Sequence, residues 1–149
     1  GALAVHAARA EGAASVTAVV RTPDKLRLAQ QLGYDDATMS PAAVSYDTVL
    51  DVSGAVQAVQ VLLQAVRPGG RVGVYGIYDQ PLPLDLNAIA EFGELRISGG
   101  HLAPGCFPEA IALLDRVDGD LVVTGVHPLE RLTDALNKPA PRLKEIVRP

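Results

Sequence analysis

Residues 46–76 run YDTVLDVSG, AVQAVQVLLQAV and RPGGRVGVYG, and this stretch limits the possible folds more than any other. Thr48, Val49, Leu50 and Val52 form an apolar run of strand length, and Val72, Val74 and Tyr75 form a second among glycines. Between them Val56, Val59, Leu62, Leu63 and Val66 recur at helical spacing, and Pro68-Gly69-Gly70 is expected to stop the helix. Strand, helix and strand of these lengths make a βαβ crossover. Glycines stand at the carboxyl ends of both strands, the edge at which an open parallel sheet binds its ligands.

The rest of the chain alternates in the same way. GALAVHAARAEG opens directly as an alanine-rich helix, with Leu3, Ala7 and Ala10 on one face and Gly12 at its stop. Residues 15–20 read as an apolar strand. Thr22, Pro23 and Asp24 supply an N-cap, a proline at the first helical position and an acid in the first turn. Leu26, Ala29 and Leu32 give that helix its buried face, and Gly33 its end. A short segment at 36–39 precedes the βαβ unit. A proline-bounded loop at 79–85 and a strand at 95–98 follow it. Phe107, Ile111 and Leu114 mark a further helix, residues 121–126 a strand, Leu129, Leu132 and Leu136 a helix opened by Pro128, and residues 142–147 a closing strand. Alternation throughout predicts an α/β fold, a parallel sheet with helices on both faces.

Composition narrows the function classes. With 48% hydrophobic and 20% charged residues in 149, the chain can bury a core. No apolar run approaches the ~18 residues that would span a bilayer, and there is no basic leader with an apolar core, so no membrane role is expected. The net charge is −4 and the 13 Lys and Arg are scattered, which leaves nucleic acid without an electrostatic footprint. The single cysteine, Cys106, allows neither an intrachain disulfide nor a CxxC zinc motif and suits a reducing cytoplasm. It is expected to be a small buried apolar residue rather than a reactive thiol.

Several segments, in this order and spacing, carry a resemblance: Gly1 opening the alanine-rich helix, TPDKLRLAQQLG, DVSG, RPGGRVGVYG, ELRISG, FPEAIALLD, HPLERLTDAL and RLKEIVRP. Together they resemble the carboxyl-terminal half of a medium-chain dehydrogenase/reductase, the zinc-dependent alcohol and polyol dehydrogenase superfamily. The GGHLAP segment at 99–104 further resembles polyol dehydrogenases of the erythritol and threitol type. The resemblance implies a Rossmann-type doubly wound parallel sheet over residues 1–127, with 128–149 a helix and strand that return to a catalytic domain. It also implies that the first strand, the first two glycines of GxGxxG and the whole catalytic domain precede the residue matched by Gly1. The chain is then expected to be a fragment truncated before its first strand. Catalytic residues and the zinc ligands would lie in the preceding part, with no catalytic or metal-binding residue in this chain. In the order 3-2-1-4-5-6 such a truncation would leave either a groove between residues 17–20 and 48–52 or a direct pairing of the two.

By the same resemblance the cofactor is NADP or NAD. NAD enzymes of the family place an Asp or Glu at the end of the second strand, where it binds the ribose 2′-hydroxyl and repels a 2′-phosphate. That position is Val20 here, followed by Arg21, with Lys25 one helical turn on. Charge-assisted bonds contribute roughly 1.5–3 kcal/mol each, so NADP(H) is expected; the alternative is that Arg21 is a solvated loop residue and NAD is used without the carboxylate. Val52, Ser53 and Gly54 would approach the adenine side. Tyr75, Gly76 and Ile77 would offer backbone groups to the nicotinamide carboxamide, with Gly99 and Gly100 in a comparable part. Lys144 matches a position that reaches the pyrophosphate, or is an exposed strand lysine. For each glycine the plain alternative is turn chemistry.

His6, His101 and His127 show no metal-ligand spacing with another His, Cys or acid, and Asp51 reads as a structural or solvated carboxylate. The expected function is hydride transfer between a nicotinamide cofactor and an alcohol or polyol/carbonyl substrate, in a cytoplasmic, homo-oligomeric parent enzyme. Alternatives are a zinc-free quinone or enoyl reductase of the same superfamily, a class I methyltransferase, or a residual nucleotide-binding module without activity. Methyltransferases resemble a sheet closed by an antiparallel hairpin, unlike the HPLERLTDAL and RLKEIVRP ending. The purified chain is expected to hold no stoichiometric zinc by metal analysis; one tightly bound zinc per chain would contradict this.

Overall fold

Thr22, Pro23 and Asp24 begin a helix in the way their chemistry requires. In the computed structural model, which describes residues 1–32, 34, 36–101, 105–117, 122–137, 139 and 142–149, helix α2 is Pro23–Gln31. The Thr22 hydroxyl accepts a hydrogen bond from the Lys25 N–H at 3.3 Å, satisfying one of the donors a helix start leaves free. Asp24 pairs with Arg27 one turn on. The helix closes on Leu32, and Gly33, the expected stop, lies outside the described residues.

Two compact units are present, one formed by Gly1–Met39 with Gly105–Pro149 and the other by Ser40–Pro104. In the first, α1 (Ala2–Ala10) precedes β1 (Ala18–Val19), α2 and β2 (Ala37–Thr38). Strands β1 and β2 pair in parallel, Ala18 opposite Ala37 and Val19 opposite Thr38, and the Val20 N–H extends the ladder to the Thr38 carbonyl. The strand expected over 15–20 is thus reduced to two residues. Val5, Ala29 and Tyr34 form the core here, flanked by Ala2, Val16, Ala18, Leu32 and Ala37. Small side chains let α1 lie close to its neighbours. Leu3, however, is exposed, and Val5 is the buried residue of α1. The Tyr34 hydroxyl meets His6 Nε2 at 2.8 Å.

The later part of this unit holds α5 (Phe107–Leu114), β6 (Val123–Pro128), a single 3-10 turn at Leu129–Arg131, α6 (Leu132–Asn137) and β7 (Lys144–Arg148). Strands β6 and β7 are parallel. The helix expected at Phe107 forms, but Phe107, Ile111 and Leu114 are exposed. Arg116 donates to the Ala10 carbonyl at 2.7 Å and pairs with Glu11, placing a cation at the carboxyl end of α1 where the helix dipole favours it. Leu121, the expected first residue of the β6 region, lies outside the described residues.

The second unit contains the βαβ crossover: β3 (Tyr46–Asp51), α3 (Val56–Ala65), β4 (Val66–Val74), then α4 (Leu86–Ala90) and β5 (Arg96–Gly99). The sheet is parallel with order β3-β4-β5. Its core is Val49, Val66 and Val72, packed with Tyr46, Leu62, Leu63, Val74 and Leu95. Helix α3 ends at Ala65, three residues before the proline. Tyr46 pairs with Val66 and Thr48 with Arg71, so residues 67–70 bulge from the ladder. Gly69 takes φ +72° there and donates to the Gly93 carbonyl at 2.7 Å. Strands β1 and β3 belong to different sheets. Among the described residues no helix is long and apolar enough to cross a membrane.

Replacing Thr22 with Ala should lower the unfolding free energy by about 1 kcal/mol, the usual cost of losing a threonine N-cap. Urea denaturation followed by circular dichroism measures it, and an unchanged midpoint would show that the cap contributes nothing.

Candidate cofactor site

The carboxyl ends of β3 and β4 are joined by one side chain. Asp51, the last residue of β3, is 2% exposed and is the one buried charged residue among those described. Its Oδ1 accepts from the Ser53 N–H at 3.0 Å and the Ser53 hydroxyl at 2.7 Å. Its Oδ2 accepts from the Gly54 N–H at 3.1 Å and from the Tyr78 hydroxyl. Burial alone would raise the Asp51 pKa, but the hydrogen bonds from Tyr78, Ser53 and Gly54 outweigh it and hold the carboxyl below its ordinary value. The same carboxylate, with burial as the larger cause, pushes the Tyr78 phenol up to about 12.

Main chain meets main chain around this carboxylate. The Asp51 carbonyl accepts from the N–H groups of Tyr75 (2.8 Å) and Gly76 (3.1 Å). Gly54 has φ +69°, and a Cβ there would collide with the Ile77 carbonyl, while a Cβ at Gly76 would strike Asp51 and Gly54. Both glycines are therefore required by close approach as well as by turn geometry. A Cβ at Gly100 would enter the Tyr75 ring, and the Gly100 N–H donates to the Val74 carbonyl at 3.1 Å. At Gly99, the end of β5, a Cβ would make only ordinary contact.

The structure thus brings Ser53, Gly54, Tyr75, Gly76 and Ile77 together in the second unit. The Tyr75 and Gly76 N–H groups are already committed to Asp51, whereas among the described residues no main-chain hydrogen bond engages the N–H of Ile77, which is 85% exposed. The Ser53 hydroxyl is likewise engaged, donating to Asp51 and accepting from the Ala55 N–H at 3.2 Å. Val52 is exposed.

Gly1, Val20, Arg21, Lys25 and Lys144 belong to the first unit. Gly1 caps α1, and its carbonyl accepts from the Ala4 N–H at 3.0 Å. The Gly1 amine is held below its ordinary value by partial burial and then by Lys144 and Lys25, although the residue as a whole is exposed. Two lysines therefore lie within electrostatic reach of the start of α1. Arg21, Lys25 and Lys144 are exposed, and no ion pair engages them among the described residues. Of these, Lys25 and Lys144 act on the start of α1, and cations at a helix start that leaves N–H groups free are a donor set that fits a phosphate.

Sequence spacing missed three features. Tyr78 is the donor that completes the Asp51 network. His127 Nε2 meets Glu145 Oε2 at 2.7 Å across β6 and β7, and the Thr124 hydroxyl donates to the other oxygen of Glu145. A histidine does face an acid here, brought there by strand pairing. Finally, Cys106 is exposed rather than buried, because it stands just before α5 on the open face of that helix. Among the described residues no three His, Cys, Asp or Glu side chains gather where a metal could bind.

Residues 1–116 match the family model described as zinc-binding dehydrogenase. The chain belongs to the zinc-binding dehydrogenase family. Among its relatives, D-arabinitol dehydrogenase 1 of Uromyces fabae is 34% identical over 109 residues, 70% of this chain and 31% of that protein. The erythritol/L-threitol dehydrogenase of Mycolicibacterium smegmatis is 27% identical over 147 residues, 89% of this chain and 41% of the relative. A Sinorhizobium meliloti dehydrogenase structure bound to NADP superposes with TM-score 0.83 at 23% identity, covering 99% of this chain and 48% of that one. A short chain alcohol dehydrogenase of Escherichia coli complexed with NADH superposes at 0.80 with 17% identity, covering 96% and 47%. At these identities the structures establish the fold, a Rossmann-type α/β architecture, and the methyltransferase alternative finds no support. The family member described here spans less than half the length of the relatives it matches.

The tyrosine of this site has a titration of its own. Because the Tyr78 pKa rises from 10.0 to about 12 on folding, its contribution to stability is fully present below pH 10 and is lost as pH rises toward 12. The Asp51 pKa is depressed, so its contribution is present above the ordinary aspartate range and is lost as pH falls through the lowered value. Ultraviolet titration at the phenolate band should show a late-ionising tyrosine that disappears in the Tyr78→Phe variant. Identical curves for the two proteins would remove the Asp51–Tyr78 bond.

Proposed function

We propose that the chain is the dinucleotide-binding part of an oxidoreductase that moves a hydride between NADP(H) and an alcohol or polyol/carbonyl substrate. The observation that carries this reading is the cationic helix start of the first unit. Lys25 and Lys144 lie within electrostatic reach of Gly1, the N-cap of α1, and Arg21 follows the strand end at Val20 where an acid would favour NAD. The α1 start and the two lysines would hold the pyrophosphate, and Arg21 would meet the ribose 2′-phosphate. The dinucleotide supplies the hydride-carrying ring when bound.

The remaining assignments concern positioning. Ser53 and Gly54 would form the adenine side, and the Ile77 N–H, next to the Gly76 turn, would orient the carboxamide. Gly99 would allow close approach of the cofactor, and Gly100 would admit the Tyr75 ring. Hydrogen bonds from fixed main-chain groups cost little reorganisation and so favour one orientation of the bound ring. The polyol class of substrate is suggested by the D-arabinitol and erythritol/L-threitol dehydrogenases among the relatives. Any zinc chemistry would belong to a portion of those longer relatives that this chain does not overlap.

NADPH and NADH titrations, followed by cofactor fluorescence, test the reading. NADPH should bind about tenfold or more tightly than NADH, as one charge-assisted contact predicts. Val20→Asp combined with Arg21→Ala should reverse the order. A preference of the unsubstituted chain for NADH would overturn the NADP(H) assignment.

A further inference from the structure

The Asp51 carboxylate is costly for what it does to stability. Removing a charge from water is unfavourable, and well-packed apolar residues commonly stabilise as well as or better than a buried charge. Its partners show a different use. None of the four donors comes from the sheet or from α3: Ser53 and Gly54 lie in the turn after β3, and Tyr78 lies beyond β4. Oδ2 alone accepts from both turns, from the Gly54 N–H and from the Tyr78 hydroxyl. The two turns also meet at Gly54 and Gly76, where no side chain separates them. The distance between the two turns is thus set at one oxygen atom, and Ile77, the residue with its N–H still to offer, is the neighbour of Tyr78.

We infer that Asp51 and Tyr78 are positioning residues for the nicotinamide dinucleotide, with Asp51 Oδ2 the shared acceptor that fixes the Ile77 main chain against the Ser53-Gly54 turn. This rests on the cofactor reading above. Tyr78 acts through Ile77 and touches neither cofactor nor substrate. Without its hydroxyl bond the second turn keeps, among the described residues, the Tyr75 and Gly76 bonds to the Asp51 carbonyl, which lie two residues and one residue short of Ile77. The effect should therefore fall on cofactor affinity more than on folding.

Tyr78→Phe keeps the ring and removes the bond. In the full chain, NADPH affinity measured by cofactor fluorescence should fall about tenfold, equivalent to ~1.4 kcal/mol, while urea denaturation shows the variant folded. Asp51→Asn should weaken binding further, because its amide NH2 would face the N–H donors of Ser53 or Gly54. Adding Tyr78→Phe to it should then cost less than Tyr78→Phe costs alone, the mark of a shared bond. As a second measurement, in chain carrying 3-fluorotyrosine the fluorine resonance of Tyr78, identified by its late ionisation, should shift on saturation with NADPH. A folded Tyr78→Phe variant with unchanged NADPH affinity, or a Tyr78 resonance indifferent to NADPH, overturns the role while leaving the cofactor reading intact. Failure of the unsubstituted chain to bind either nucleotide removes the cofactor reading and this role with it.

Discussion

A buried carboxylate that no ion pair engages among the described residues organises the carboxyl edge of the three-stranded sheet. Asp51 remains charged because its oxygens are filled by N–H and O–H donors, two from Ser53, one from Gly54 and one from Tyr78. Each donor belongs to a turn rather than to regular structure, so the bonds that make burial tolerable also hold the turns in place. The Asp51 carbonyl does the same for the start of the second turn through Tyr75 and Gly76. One residue therefore uses both its main chain and its side chain to convert two strand ends into a single surface. The sheet beneath can be plain, and it is: valines at 49, 66 and 72 with leucines from α3.

Much of the fold was legible in local chemistry. Thr22-Pro23 and the 3.6-residue spacing after Val56 are signals contained within a few residues, and α2 and α3 form where they place them. Long-range pairing was less legible. The Asp51–Tyr78 bond spans 27 residues and His127–Glu145 spans 18, and no periodicity relates the members of either pair. Register also overrode local reading at residues 67–70. Pro68-Gly69-Gly70 looked like a helix stop, yet β4 begins at Val66 and carries these residues as a bulge. Helix α4 escaped notice because five residues give too little periodicity, although Asp85 caps it by accepting from the Asn87 N–H at 2.9 Å.

The candidate site divides along the same line. Gly54 and Gly76 could be singled out from sequence because a glycine at a strand end is a recognisable token, and both are needed for close approach. What those turns leave available could not be singled out, since it depends on which N–H groups are already spent on Asp51. Lys25 and Lys144 are far apart in the sequence and stand out only in relation to the start of α1. Their significance is one of company: a lysine on a surface is ordinary, whereas two acting on the same helix end make a local excess of positive charge.

The glycine contact between the two turns of the second unit has an evolutionary corollary. A surface made from peptide groups cannot be retuned by exchanging side chains, because Gly54 and Gly76 admit none and Ile77 would contribute its amide whatever its side chain. Such a wall is inherited whole or lost whole. On the proposed cofactor reading, drift toward a different nucleotide would pass through positions where side chains can vary, such as Val20 and Arg21, which lie past a two-residue strand in a different part of the chain. Under that reading, separating an immutable contact from an adjustable one would let a lineage change what it accepts without disturbing how it holds it.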